Sequence, residues 1–175
     1  KPSISIHKRA TKMKLCQLDN ILKYFLSLFL IVMTIGVTIG LIYVQSTTNI
    51  STEGTVHQYA GSETKDEFDI PEYYPKPVSD MLMTTHNHII SFAMIFGMIG
   101  MLFYFNSMIT GMWKFILMAE PLISTLITFG SIWGIRFIAP EFAYITIISG
   151  VLMYLTYYLM VSIMLYELLF YSEKS

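Results

Sequence analysis

Two histidines near the start of an apolar stretch are the residues best placed to do chemistry in this sequence. The stretch opens Met81-Leu-Met-Thr-Thr-His86-Asn-His88. Imidazole is the commonest metal ligand of proteins and a usual axial ligand of haem iron. Residues i and i+2 of a regular helix point to nearly opposite sides, so we do not expect one metal to bind both His86 and His88.

Haem b and copper are the two cofactors that these histidines suggest. A haem site would use His86 or His88, with Arg136 pairing with the propionates; a bis-histidine haem takes its imidazoles from facing helices, and no other apolar stretch contains a histidine. A copper or other metal site would combine His57, His86 and His88 with Asp80 and neighbouring Met thioethers. The alternative is that both histidines of the pair form local hydrogen bonds at the membrane surface.

One carboxylate, Glu120, lies inside an otherwise apolar stretch. It comes about six residues into that stretch, roughly 9 Å along a helix. A charge inside a membrane is costly, which favours a role such as proton uptake or contact with a quinone headgroup. The following Pro121 leaves a backbone carbonyl of the preceding turn free. Alternatively, Glu120 reaches the nearer membrane surface or pairs with Lys114.

Composition identifies the elements that must position these groups. The chain has 175 residues, of which 54% are hydrophobic and 13% charged, with a mean hydropathy of +0.57. Soluble domains carry about 25% charged residues. Residues 21–44, 81–105, 113–135 and 142–171 each reach the roughly 20 residues that cross a bilayer as a helix. We therefore predict an all-α membrane protein whose transmembrane domain, residues 21–175, has four spanning helices.

Charge predicts the orientation of these helices. The first 23 residues hold six basic side chains and one acidic side chain, whereas residues 45–80 hold seven acidic and two basic side chains. Because basic loops stay in the cytoplasm, we expect a cytoplasmic N-terminal segment, residues 1–20, and a cytoplasmic C-terminus. Residues 45–80 form a long outer loop, and loops of this length are usually functional or disordered. This loop could act as a lid over the outer helix ends or as a docking surface for a basic partner.

Local signals predict helix starts and helix contacts. Asp19 or Asn20 can cap the first span, and Ser79 or Asp80 the second. Small residues spaced by four let helices approach closely in lipid, and two such pairs occur. They are Gly36–Gly40 in the first span and Gly130–Gly134 in the third. Packing within the bundle is the first interpretation of these pairs, and contact with another subunit is the second.

Several protein classes are excluded. A single cysteine, Cys16, rules out an internal disulfide framework and multi-cysteine metal sites. The sequence contains no glycine-rich phosphate loop and no HExxH, GxSxG, CxxC or CxxCH motif. A net charge of −1 does not favour binding to nucleic acid. We therefore expect no catalytic activity of its own.

Four short motifs resemble those of a family of small four-helix bacterial inner-membrane proteins. They are the run from Gly54 to Gly61 around His57, the helix entrance Thr85-His86-Asn87-His88, Glu120-Pro121 and Ser149-Gly150. The resemblance covers residues 20–170 and implies a multi-pass protein of the bacterial inner membrane. The Thr-His-x-His entrance also resembles the helix starts of haem-containing membrane subunits. Neither resemblance supplies a reaction.

Three functions follow as hypotheses. The first is a non-catalytic accessory subunit in the lipid bilayer, packed beside other membrane subunits, or beside copies of itself, in a respiratory or electron-transfer complex. The second is a haem b or copper redox protein that uses His86 or His88 at the outer face. The third is a small transporter or channel, which is weakened because no inverted repeat of broken helices is visible.

Overall fold

The computed structural model describes residues 13–62 and 70–171. Four of its helices are long and apolar enough to cross a membrane, which confirms the prediction of four spanning helices in an all-α fold. A short 3-10 helix, Leu15–Gln17, precedes them. The α-helices are α1 (Asn20–Thr48), α2 (Thr52–Ala60), α3 (Val78–Tyr104), α4 (Gly111–Phe137) and α5 (Phe142–Leu169). Most of the basic N-terminal segment, residues 1–12, lies outside the described residues.

The predicted helix starts are right for α1 and wrong for α3. The Asp19 carboxylate accepts a hydrogen bond from the Leu22 backbone N–H at 3.0 Å, as expected of a capping residue. In contrast, α3 begins at Val78 with Pro77 at the capping position, which places Ser79 inside the first turn. Pro77 has a fixed backbone angle suited to a helix start, and its carbonyl accepts from the Asp80 N–H.

The spanning helices form an open series rather than a closed ring. α4 packs against α3 on one side and α5 on the other, and α1 packs along α5. The backbones of α1 and α3 stay apart in the described residues, although Leu30 of α1 and Phe96 of α3 belong to the same buried apolar core. The buried share of the most apolar stretch rises from 17% in α1 to 39% in α5. α1 is therefore the peripheral helix, and a groove separates it from α3.

Hydroxyl pairs link the spanning helices to one another. In lipid, such pairs are typically worth about 0.6 to 2 kcal/mol each, because apolar burial does not drive helix association there. Distances between the paired oxygens are 2.7–3.3 Å. The pairs are Thr34–Tyr157 and Thr38–Tyr158 between α1 and α5, and Thr128–Ser149 and Ser131–Thr146 between α4 and α5.

The predicted glycine pairs have different surroundings. A Cβ atom at Gly134 would collide with the Phe142 ring, so this glycine allows close packing where α4 meets α5. At Gly36 and Gly130 the same atom would meet nothing within 4 Å, and at Gly40 it would lie 3.9 Å from the Tyr154 hydroxyl. Of these four glycines, only Gly134 is required by tight packing within the chain.

The long loop contains a helix of its own. α2 packs against α1, α4 and α5 at one end of the bundle, which we call the α2 end. Ser51 caps α2 by accepting from the Gly54 N–H at 3.0 Å. Burial raises the pKa of Tyr59 above its ordinary value, and the nearby Tyr43 phenol adds to the rise, so Tyr59 stays neutral near pH 7. These contacts favour the lid over the free docking surface as the role of the loop.

Candidate functional site

The groove between α1 and α3 is mostly apolar, with a few polar groups on its α3 wall. Asn87 and Ser91 are exposed and lie one turn apart on α3, so both face the same way. Gly36, Gly40 and the Val37 side chain between them form the α1 wall, and Tyr154 of α5 also lines the groove. The groove encloses about 220 Å³. It brings together the first glycine pair and the histidine-bearing segment, which the sequence treats as separate signals.

His88 lies on the wall of this groove with a defined ring orientation. Its ring centroid is 5.0 Å from that of Phe129 on α4 and 5.9 Å from that of Phe92. Nδ1 lies 2.8 Å from the Thr84 carbonyl oxygen. A carbonyl oxygen only accepts, so Nδ1 carries the proton, and in a neutral ring Nε2 keeps a lone pair. That nitrogen can accept a hydrogen bond or bind a metal ion.

Depth places this histidine inside the apolar part of the bundle. His88 is ten residues after the start of α3, which is about 15 Å along the helix axis. It therefore lies about 10 Å deeper than Met81, where the second span was predicted to begin. The groove opens sideways between two spanning helices, in the half of the bundle nearer the α2 end.

The three histidines proposed as metal ligands do not line one cavity. His57 stacks on Tyr73, with ring centroids 5.2 Å apart, and lines a separate crevice with Glu53 and Glu141. His88 lines the α1–α3 groove. Across residues 13–62 and 70–171, no group of three or more His, Cys, Asp or Glu side chains is placed to hold a metal ion.

The two remaining residues of the haem hypothesis lie away from the groove lining. His86 is exposed and is not among the residues that line the groove. The Arg136 Nε donates to the Lys76 carbonyl oxygen at 3.5 Å, and its guanidinium lies 5.2 Å from the centroid of the Phe137 ring. Arg136 thus links α4 to the segment that leads into α3.

Glu120 is half-buried, and its two carboxylate oxygens differ in their hydrogen bonding. Its Oε1 accepts a hydrogen bond from the Ser124 hydroxyl. Its Oε2 is the one buried side-chain oxygen or nitrogen without a partner among the described residues. The Lys114 ammonium, an expected partner of Glu120, donates to the carbonyl oxygens of Tyr104 and Asn106.

A second carboxylate, Glu167, is fully buried near the end of α5. The Ser107 N–H lies 2.9 and 3.0 Å from its two oxygens, and the Ser107 hydroxyl donates to Oε1 at 2.7 Å. The Asn106 side-chain amide donates to Oε2, and the Cys16 N–H donates to Oε1 at 3.4 Å. We call Cys16, Asn106, Ser107 and Glu167 the Glu167 clasp.

The clasp fastens three separate parts of the chain at the end of the bundle opposite α2. Asn106 also shapes the turn between α3 and α4, because its Oδ1 accepts from the N–H groups of Met108 and Ile109 at 3.0 and 2.8 Å. The Leu15 N–H donates to the Phe105 carbonyl oxygen at 3.0 Å. A buried carboxylate whose two oxygens both accept hydrogen bonds from other parts of the chain acts in structure, because it holds those parts together.

Sequence reasoning missed the clasp. The available signal was the Asn106-Ser107 pair in a short turn, which four spans place on the same side of the membrane as Glu167. An acid near the end of an apolar stretch resembles an ordinary charge at the membrane surface, so its burial was not expected.

Four long apolar helices make this an integral, multi-pass membrane protein. The Aq_1264_TM family, described as a transmembrane helical domain, matches residues 49–175, from the end of α1 through α5. The chain belongs to this family. No curated protein and no solved structure matches it. The more specific resemblance to bacterial inner-membrane proteins stays a prediction.

Proposed function

We propose that this protein is a non-catalytic accessory subunit of a larger membrane complex, and that the α1–α3 groove receives a transmembrane helix of another subunit. The lipid bilayer is its solvent, and its partners are other membrane subunits or copies of itself. The respiratory or electron-transfer character of the complex stays a prediction, because it rests on the histidines alone.

The open α1 wall of the groove is the observation that carries this proposal. A Cβ at Gly36 would meet nothing within 4 Å, so the space beside this glycine is not used by the chain itself. Opposite it, Asn87 and Ser91 offer hydrogen-bonding groups. Small residues and polar side chains are what contacts between transmembrane helices use, because close approach and hydrogen bonds replace apolar burial there.

The size of the groove also favours a helix over a complete small molecule. Its volume of about 220 Å³ lies below the range of about 300–1,000 Å³ that is usual for ligand pockets. Side chains from a neighbouring helix fill a space of this size while the helix itself lies along the opening. The groove is also open along its side, which suits an extended partner.

Replacement of Gly36 tests the proposal. Gly36→Ile puts a branched side chain into the groove, and we expect it to release the protein from its complex on a native gel in mild detergent. Gly97→Ile is the matched control, because a Cβ at Gly97 on α3 also meets nothing within 4 Å, and Gly97 does not line the groove. Equal migration of both variants and the unchanged protein would contradict the proposal.

A redox protein is the second candidate, and the hydrogen bond of His88 favours it. Because Nδ1 donates to the Thr84 carbonyl oxygen, the ring is held in one orientation and a neutral ring presents the Nε2 lone pair, as in many metal-binding histidines. A reduced-minus-oxidised spectrum with metal analysis tests this candidate. We would expect His88→Gln to remove a haem or copper signal that His86→Gln retains. The absence of both a Soret band and stoichiometric metal from the purified protein would exclude it.

A further inference from the structure

The half of α3 nearer the α2 end exposes a group of polar side chains, which are those of His86, Asn87, His88 and Ser91. Between Tyr24 and Tyr43 of α1, and between Trp113 and Trp133 of α4, all residues are described, and the exposed ones are apolar residues and glycines only. A polar group that faces lipid finds no hydrogen-bonding partner there. The surface of α3 therefore fits a polar partner better than it fits lipid.

Asn87 and Ser91 lie deeper than the membrane boundary. The indole N–H of Trp133 on α4 donates to the Thr85 hydroxyl at 2.9 Å, so these two residues share one level. Tryptophan side chains mark the boundary between lipid headgroups and hydrocarbon. Asn87 and Ser91 follow Thr85 by two and six positions, which is about 3 and 9 Å farther along the helix. Both side chains are therefore below the headgroup level.

The open glycines of α1 lie at matching depths on the facing wall. Tyr43 is 65% exposed and is of the residue type found at membrane boundaries. Gly40 and Gly36 precede it by three and seven positions, about 5 and 10 Å toward the bundle centre. The described residues provide no hydrogen bond to the Asn87 amide or the Ser91 hydroxyl. The fold therefore leaves both the polar groups and the space opposite them unused.

These two polar groups can pair with copies of themselves. An amide and a hydroxyl each donate and accept hydrogen bonds. Two copies of one chain enter the membrane in the same orientation, so a two-fold axis between them runs along the membrane normal and the same residues meet at the same depth. Asparagines pair in this way between parallel helices of coiled coils. The polar part of the groove wall is therefore complementary to a second copy of itself.

We propose that the groove is occupied by α3 of a second copy of this chain, with Asn87 facing Asn87 and Ser91 facing Ser91 across a two-fold axis. Gly36 lets α3 of the second copy approach the α1 wall, because a Cβ at this position would meet nothing within 4 Å. The inference rests on the proposed function, since it names the occupant of the same groove.

Cysteine cross-linking in membranes tests the contact. In a Cys16→Ser background of the full chain, Ser91→Cys should form a disulfide-linked dimer on oxidation with copper phenanthroline, at twice the 20.1 kDa mass of the chain. Ala93→Cys is the matched control, because Ala93 is exposed on nearly the opposite side of α3 and does not line the groove. It should form little of the linked dimer. Cross-linking of neither variant, or of both equally, would overturn the proposal.

The same assay separates this inference from the proposed function. Gly36→Ile combined with Ser91→Cys fills the groove and should abolish the disulfide, and a disulfide that persists would place the contact elsewhere and overturn the inference. If Gly36→Ile releases the protein from a complex while Ser91→Cys forms no disulfide, a different subunit occupies the groove. The proposed function then stands and the inference fails.

Loss of the Asn87 amide should weaken the dimer. Asn87→Leu keeps a similar side-chain volume without hydrogen-bonding groups, and we expect it to raise the dissociation constant of the dimer about 3- to 30-fold in sedimentation equilibrium in mild detergent. His86→Leu removes a neighbouring exposed polar side chain that does not line the groove, and its dimer should be unchanged. The same dissociation constant for Asn87→Leu and the unchanged protein would contradict the pairing.

Discussion

The Glu167 clasp and the α1–α3 groove treat their polar atoms in opposite ways. In the clasp, both carboxylate oxygens of a fully buried side chain accept hydrogen bonds, and the donors come from two other parts of the chain. In the groove, Asn87 and Ser91 are exposed and the facing glycine has open space. The clasp uses its polar groups to hold the chain together, whereas the groove leaves its polar groups exposed.

This difference separates a structural role from a binding role. Removing a partner from a satisfied buried network leaves donors without acceptors, so stability falls. Changing a residue at an open groove removes little from the fold and acts on whatever fills the space. Stability and association are therefore separate measurements, and the two regions should respond to different ones.

Orientation gives the largest expected effect, because labelling is all or none. In a Cys16→Ser background, Ser62→Cys should react with a membrane-impermeant thiol reagent from outside the cell, as the predicted N-in topology requires. Ser3→Cys is the control and should react only after the membrane is opened. If Ser62→Cys reacts only from inside the cell, the orientation is the opposite of the predicted one, and the clasp lies outside.

Loss of the clasp carboxylate should be the most destabilising of the substitutions. We expect Glu167→Ala to lower the free energy of unfolding by about 3–5 kcal/mol, because it leaves several buried donors without an acceptor. Unfolding in detergent measures this change. Glu120→Ala is the control, with a loss of about 1 kcal/mol or less, because Glu120 has one hydrogen bond, from Ser124. If the two variants lose the same free energy of unfolding, the clasp does not stabilise the fold.

Substitution of a tightly packed glycine and of an open glycine should give effects of intermediate size on the free energy of unfolding. Gly134→Ile should cost about 1–3 kcal/mol in unfolding free energy, because the new side chain collides with Phe142. Gly36→Ile should leave unfolding nearly unchanged, since nothing lies within 4 Å of its added Cβ. If Gly36→Ile destabilises as strongly as Gly134→Ile, the groove is part of the packed core and its proposed partner is unnecessary.

A hydroxyl pair beside the groove should give the smallest effect. Thr38 and Tyr158 are joined at 2.7 Å between α1 and α5. A double-mutant cycle of Thr38→Val and Tyr158→Phe should give a coupling energy of about 0.6 kcal/mol in unfolding measurements, near the average for such bonds in lipid. A coupling indistinguishable from zero would mean that this bond does not attach α1 to the bundle.

Hydropathy was sufficient to predict the spanning helices, because a run of apolar residues long enough to cross lipid has few other stable states. It could not predict the groove, since that depends on α1 packing against α5 and away from α3. The capping signal at Ser79 failed because Pro77 already starts α3. Glu120 drew attention by its position in the sequence, whereas the burial of Glu167 appears only when the chain is folded.

The clasp has a consequence for the order in which the chain is assembled. Cys16 and Glu167 are separated by 151 positions, and synthesis proceeds from the N-terminus. Cys16 is therefore made before Glu167, and its N–H cannot donate to that carboxylate until α5 has left the ribosome and entered the bilayer. The clasp therefore closes only after all four spanning helices have been made.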